Sequence, residues 1–69
     1  MRRRPVNSAS VKSVGYDVAS GTLELEYVNG STYQYYEVPQ PTYAALLAAP
    51  SIGNYVNTQI KPYFDFAEV

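Results

Sequence analysis

Few side chains in this sequence could carry chemistry, and their types point to binding. The 69 residues contain neither histidine nor cysteine. The usual proton shuttle near neutral pH and the usual thiolate nucleophile are both missing. Glu24 and Glu26 stand two apart, which on a strand puts both carboxylates on one face. Without a carboxylate cluster at metal-ligand spacing, the pair reads as the solvated side of a sheet. Ser8, Ser10 and Ser13 have no base to activate them. The reading is a chain with no catalytic residue, no metal site and no cofactor.

Three groups remain as candidates for holding a ligand. The first is tyrosine, present eight times, a ring that packs while its hydroxyl stays polar. Tyr33, Tyr35 and Tyr36 cluster in one segment. Exposed rings on a sheet can stack on nucleic-acid bases or seal a protein interface. The second is the run Arg2, Arg3 and Arg4, which with Lys61 could neutralise phosphates. Beyond that run, two lysines stand against six acidic residues, a net of −4. The third is the Ser51–Asn54 segment, where a helix start with Gly53 in it could let a backbone or an anion approach free N–H groups.

These residues need a scaffold, and the sequence changes period to supply one. Residues 1–5 read as a flexible basic arm and 6–69 as one domain. Residues 10–16 carry β-branched and aromatic residues and predict a strand. Thr22–Tyr27 alternates strictly, the mark of a half-buried strand. Thr32–Val38 predicts a third strand, stopped by Pro39. A two-residue Asn29-Gly30 turn would set Gln34 among the leucines. A three-residue loop, Val28-Asn29-Gly30, instead places Leu23, Leu25, Tyr27, Tyr33 and Tyr35 on one face, with Gly30 in the left-handed bulge position. That leaves Glu24, Glu26, Gln34 and Tyr36 on the other face. Gly15, inside the first strand, predicts a bulge or a close backbone approach. Pro41 opens a helix carrying Tyr43, Leu46 and Leu47, and Pro50 ends it. Ser51 caps a second helix, in which Ile52, Tyr55, Val56 and Ile60 share a face, and Pro62 stops it. The expectation is an α+β domain: a three-stranded antiparallel meander followed by two short helices on one face.

Taken in order, these stretches resemble the KTSC domain family. The likeness runs from Val6 through Asn7-Ser8-Ala9-Ser10-Val11-Lys12-Ser13-Val14-Gly15-Tyr16-Asp17 and Leu23-Glu24-Leu25-Glu26-Tyr27. It continues at Tyr33-Gln34-Tyr35, Val38-Pro39, Tyr43, Leu46-Leu47 and Ala48-Ala49-Pro50-Ser51, and closes on Gly53, Tyr55, Asn57 and Ile60. Its span is about residues 6–63. The resemblance implies a small domain of bacterial or phage origin, found free-standing and at the end of some lysyl-tRNA synthetases, with RNA binding suggested as its role. It also implies a site at Ser51, Gly53, Tyr55 and Asn57, with Asn54 between them and Tyr33 and Tyr35 beside them. This chain departs from relatives that carry basic residues around the final helix, having Asn54, Thr58 and Gln59 there with Lys61.

The functional expectation is a non-catalytic binding module for a nucleotide or an RNA-type ligand. The alternatives are a protein-interaction or self-assembling module and a free-standing protein that sequesters small nucleotide signals. A core this small, with no covalent staple and a surplus of aromatic surface, leads us to expect a homo-oligomer. No apolar run follows the arginines, so no membrane association is expected and a cytoplasmic location is.

Overall fold

The computed structural model describes residues 1–69. Its elements are β1 (Arg3–Pro5), β2 (Val11–Asp17), β3 (Thr22–Tyr27), β4 (Thr32–Tyr35), α1 (Gln40–Ala48), α2 (Ile52–Tyr55) with a π-helical continuation (Val56–Ile60), and β5 (Phe66–Glu68). The strands form one antiparallel sheet in the order β1-β2-β3-β4-β5. The α+β class and the central meander are as the sequence indicates. The sheet has five strands where three were expected.

The central hairpin adopts the three-residue loop. Tyr27 N–H donates to the Ser31 carbonyl at 2.8 Å, Leu25 faces Tyr33 and Leu23 faces Tyr35, and Gly30 takes φ 94°. Leu23, Leu25 and Tyr35 are buried as a result. In β2 a bulge between Val11 and Ser13 absorbs Lys12. Regular alternation would turn Val11 and Val14 to opposite faces, whereas the bulge lets both enter the core. β4 stops at Tyr35 and does not reach Val38. Glu37 adopts φ 57°, in the left-handed region, and the chain turns so that Val38 N–H reaches the Gly21 carbonyl.

The helices close the core from one side. Leu46 of α1 and Ile52, Val56 and Ile60 of the second helical segment join Val11, Val14, Leu23, Leu25, Tyr35 and Val38. Tyr16 stacks on Tyr43 with centroids 4.6 Å apart, and its hydroxyl donates to the Val38 carbonyl, which ties α1 to the sheet. The π-helical turn is closed by Lys61 N–H on the Val56 carbonyl at 2.9 Å, an i→i+5 bond. The wide turn keeps Ile60 under Val56 and delivers Lys61 just beyond the core.

The two additional strands are edges held by tertiary pairing. The basic arm is not free: Arg3 pairs with Gly15, Arg4 with Val14 and Pro5 with Ser13. Arg-Arg-Pro has no intrinsic strand preference, so nothing local marks it. Phe66, Ala67 and Glu68 pair with Tyr35, Gln34 and Tyr33. Arg3, Gly15, Glu24 and Gln34 form one row across the sheet. A Cβ at Gly15 would lie 2.8 Å from the Arg2 carbonyl oxygen and 2.9 Å from Arg3 Cγ. The bare glycine is what lets the Arg3 side chain cross β2 toward β3. Gly15→Ala should therefore displace β1 and lower stability by about 1–3 kcal/mol, as overpacking does, measured as a lower urea midpoint. An unchanged midpoint would show that β1 adds nothing to the fold.

Candidate functional site

The outer face of the sheet, away from the helices, carries a polar network. Arg3 lies 3.5 Å from a Glu24 carboxylate oxygen and 4.0 Å from one of Glu26, and donates to Thr32 Oγ1 at 3.4 Å. Ser13 Oγ donates to Glu26 at 3.0 Å, Gln34 Nε2 to Glu24 at 2.9 Å, and the Tyr36 hydroxyl to Gln34 Oε1 at 3.3 Å. Tyr36 is half-buried in this row, so it is not the exposed ring the sequence suggested. Arg3 is likewise engaged within the fold, while Arg2 and Arg4 are exposed on the edge.

The start of α2 is closed by the chain's own atoms. Ser51 Oγ accepts the Asn54 N–H at 3.2 Å. A Cβ at Gly53 would collide with Ser10 Oγ, so this glycine serves the close packing of α2 on the segment before β2. Ser8 Oγ there accepts the N–H groups of Ser10 and Val11, both at 3.3 Å. Tyr55 packs half-buried against the core. Ser51, Asn54 and Asn57 are exposed. None of these residues reaches the tyrosines of β4 to make one site.

The cavity lies elsewhere, on the inner face where the helices end. The core covers Leu23 and Leu25, leaving the hairpin end of β3 and β4 open. A groove of about 500 Å³ runs there between Tyr27, Tyr33, Tyr35 and Phe66, with Lys61 on one side and Ser10, Val28, Asn29 and Ser31 at the hairpin end. Tyr27 and Tyr33 meet edge to face at 5.6 Å. Phe66 lies 5.9 Å from Tyr33 and 5.6 Å from Tyr35. Lys61 Nζ stands 5.7 Å from the centre of the Tyr27 ring, within cation–π range. At the floor the Tyr27 and Tyr35 hydroxyls share a hydrogen bond of 2.9 Å. Burial holds both phenols above their ordinary pKa; for Tyr27 the bond to Tyr35 adds to the rise.

Of the residues expected to hold a ligand, Tyr33, Tyr35 and Lys61 line this groove. Tyr36, Arg2, Arg3, Arg4 and the Ser51–Asn57 segment do not. Sequence reading missed Tyr27 and Phe66 as site residues. Tyr27 had a visible signal, since the hairpin register sets it at the end the helices do not cover. Phe66 had none, because its place depends on β5 docking against β4. The groove offers aromatic faces, tyrosine and serine hydroxyls, the Asn29 amide and one cation, with no histidine, cysteine or carboxylate on its wall. That set suits a flat ring carrying a single negative group.

The KTSC domain profile matches residues 7–64. A protein of Tsukamurella paurometabola is 46% identical over 61 residues, covering 88% of this chain and 91% of that one. A lysine–tRNA ligase of Nostoc punctiforme is 36% identical over 59 residues, which are 86% of this chain and 10% of the ligase. The crystal structure of a KTSC domain protein from Yersinia pestis superposes with a TM-score of 0.92 at 33% identity, covering 99% of this chain and 96% of that one. The chain belongs to the KTSC domain family.

The raised phenols of Tyr27 and Tyr35 should make the fold sensitive to alkali. A phenol whose pKa is raised on folding contributes stability fully present below the unfolded value of about 10 and lost as pH rises through the folded one. Tyr27→Phe should move the midpoint of alkaline unfolding, followed by circular dichroism, to higher pH. At neutral pH the same change should remove about 1 kcal/mol with the lost hydrogen bond. An alkaline midpoint that does not move would show that Tyr27 ionisation plays no part.

Proposed function

We propose that this KTSC-family chain is a non-catalytic module that binds a nucleotide, with the base against the rings of Tyr27, Tyr33 and Phe66 and a phosphate near Lys61. The observation that carries this reading is the groove itself: an aromatic wall with one lysine at its side and no histidine, cysteine or carboxylate on it. Stacking on an aromatic ring contributes about 1–3 kcal/mol per base. One cation suits one phosphate better than a chain of them.

The electrostatics favour a small ligand over long RNA. Arg3 is paired with Glu24 and Glu26, and the domain beyond the arginine run is acidic. A polyanion would meet repulsion across most of the surface. A site that holds a nucleotide without altering it fits a sequestering role. The proposed setting is the cytoplasm, where nucleotides are held; no helix is long and apolar enough to cross a membrane.

Calorimetric titration with nucleoside monophosphates, cyclic nucleotides and single-stranded RNA at two salt concentrations tests the proposal. Tyr33→Ala should weaken nucleotide binding at least tenfold. Lys61→Ala should weaken a nucleotide but not the matching nucleoside. Changing Arg2, Arg3 and Arg4 together to alanine should leave small-ligand affinity nearly intact. RNA binding with a steep salt slope that collapses in the triple variant would instead assign the arm to a polyanion, and no binding by any of these ligands would end the nucleotide reading.

A further inference from the structure

The two edges of the sheet differ in what they offer to another strand. Backbone groups along a strand alternate between its two sides. Val6 N–H bonds the Lys12 carbonyl at 3.2 Å, so Val6 and Arg4 turn toward β2 while Arg3 and Pro5 turn outward. Proline has no N–H to give, and three arginines precede it. The β1 edge is thus blunted in the way natural sheets protect themselves.

The β5 edge lacks that protection. Tyr36 N–H bonds the Asp65 carbonyl at 2.9 Å and Val69 N–H bonds the Thr32 carbonyl at 2.8 Å. Asp65, Ala67 and Val69 therefore turn toward β4, and Phe66 and Glu68 present their N–H and C=O groups outward. Apolar side chains gather at the same edge. Tyr63 is 71% exposed, Phe66 55% and Val69 63%, and Tyr63 and Phe66 line one shallow depression. These three are half of the six large apolar side chains left exposed on the molecule.

We propose that β5 pairs with β5 of a second copy of this chain about a two-fold axis, joining two five-stranded sheets into one. The backbone fixes the register. With Phe66 opposite the partner's Glu68, and the reverse, all four outward N–H and C=O pairs are used and Ala67 meets the partner's Ala67. This register also keeps Glu68 from facing the partner's Glu68, which a shift by one step in one of the two directions would force. The axis runs perpendicular to the sheet, so both inner faces point the same way and the two Phe66-lined grooves lie side by side at the seam. The β1 edge, with Arg2, Arg3 and Arg4, would repel its own copy, so charge also directs the pairing to β5. A three-residue ladder is short, and burial of Tyr63, Phe66 and Val69 supplies the rest of the attraction.

The chain has no cysteine, so one introduced thiol reports on one position. Ala67→Cys puts two thiols at the axis in a non-hydrogen-bonded pair, with Cα atoms about 4.5 Å apart, close enough to bridge. Under mild oxidation at micromolar protein it should form a disulfide-linked dimer at least tenfold faster than Val18→Cys, a thiol in the exposed β2–β3 turn. Glu68→Pro removes one outward N–H and no bond to β4. It should weaken the dimer at least tenfold in sedimentation while leaving the circular dichroism of the monomer unchanged. A clean monomer at high micromolar concentration, a dimer indifferent to Glu68→Pro, or equal cross-linking of the two cysteine variants would each overturn the proposal. Binding of an unrelated extended peptide at β5 by a monomeric chain would do so too.

Discussion

The loop Val28-Asn29-Gly30 settles which side chains of β3 and β4 meet the helices, and the other features follow from that register. With Tyr27 bonded to Ser31 and Leu25 facing Tyr33, the apolar residues of both strands lie on the inner side. The carboxylates of Glu24 and Glu26 lie on the outer side, where Arg3 reaches them. A slip of one residue would bury the carboxylates and expose the leucines. The left-handed backbone at Gly30 is the local device that holds this choice, because a glycine accepts that conformation without steric penalty.

The register supplies more inner surface than two short helices can cover. α1 and the second helical segment seal the end of the sheet near Leu23 and Leu25, and the hairpin end stays open. Tyrosine suits this boundary. Tyr35 is fully buried yet keeps its hydroxyl satisfied by Tyr27, and Tyr27 in turn lines the groove. Core and groove are thus continuous in a domain too small to separate them. The π-helical turn belongs to the same economy of space, since its extra residue sets Lys61 beside the groove immediately after the last core residue, Ile60.

Charge is arranged within the fold before it is available to a ligand. Arg3 crosses the gap left by Gly15 to neutralise two carboxylates, which stitches an edge strand of three residues to the middle of the sheet. What reads as a basic tail is in part a structural clamp. The charge that faces the groove is a single lysine, so the proposed ligand would be held by ring stacking and hydroxyl contacts more than by attraction between opposite charges.

The sequence by itself determined the elements whose signals are local. Alternation in Thr22–Tyr27, the bulge glycine, the prolines at 41, 50 and 62 and the serine cap at 51 each act through neighbouring backbone, so the hairpin, both helices and the inner face were legible. Strands β1 and β5 were not, because Arg-Arg-Pro and Phe-Ala-Glu acquire strand geometry only from the partners they meet across the sheet. The same holds for the site. Tyr33, Tyr35 and Lys61 could be named from residue type and face, but Phe66 enters the groove through β5. Tyr36 leaves the candidate set because its hydroxyl joins Gln34, itself bonded to Glu24 across the sheet, and Gly53 because the turn at Ser10 occupies the space beside it. Long-range contacts decide which side chains share a cavity, and neither spacing nor composition records them.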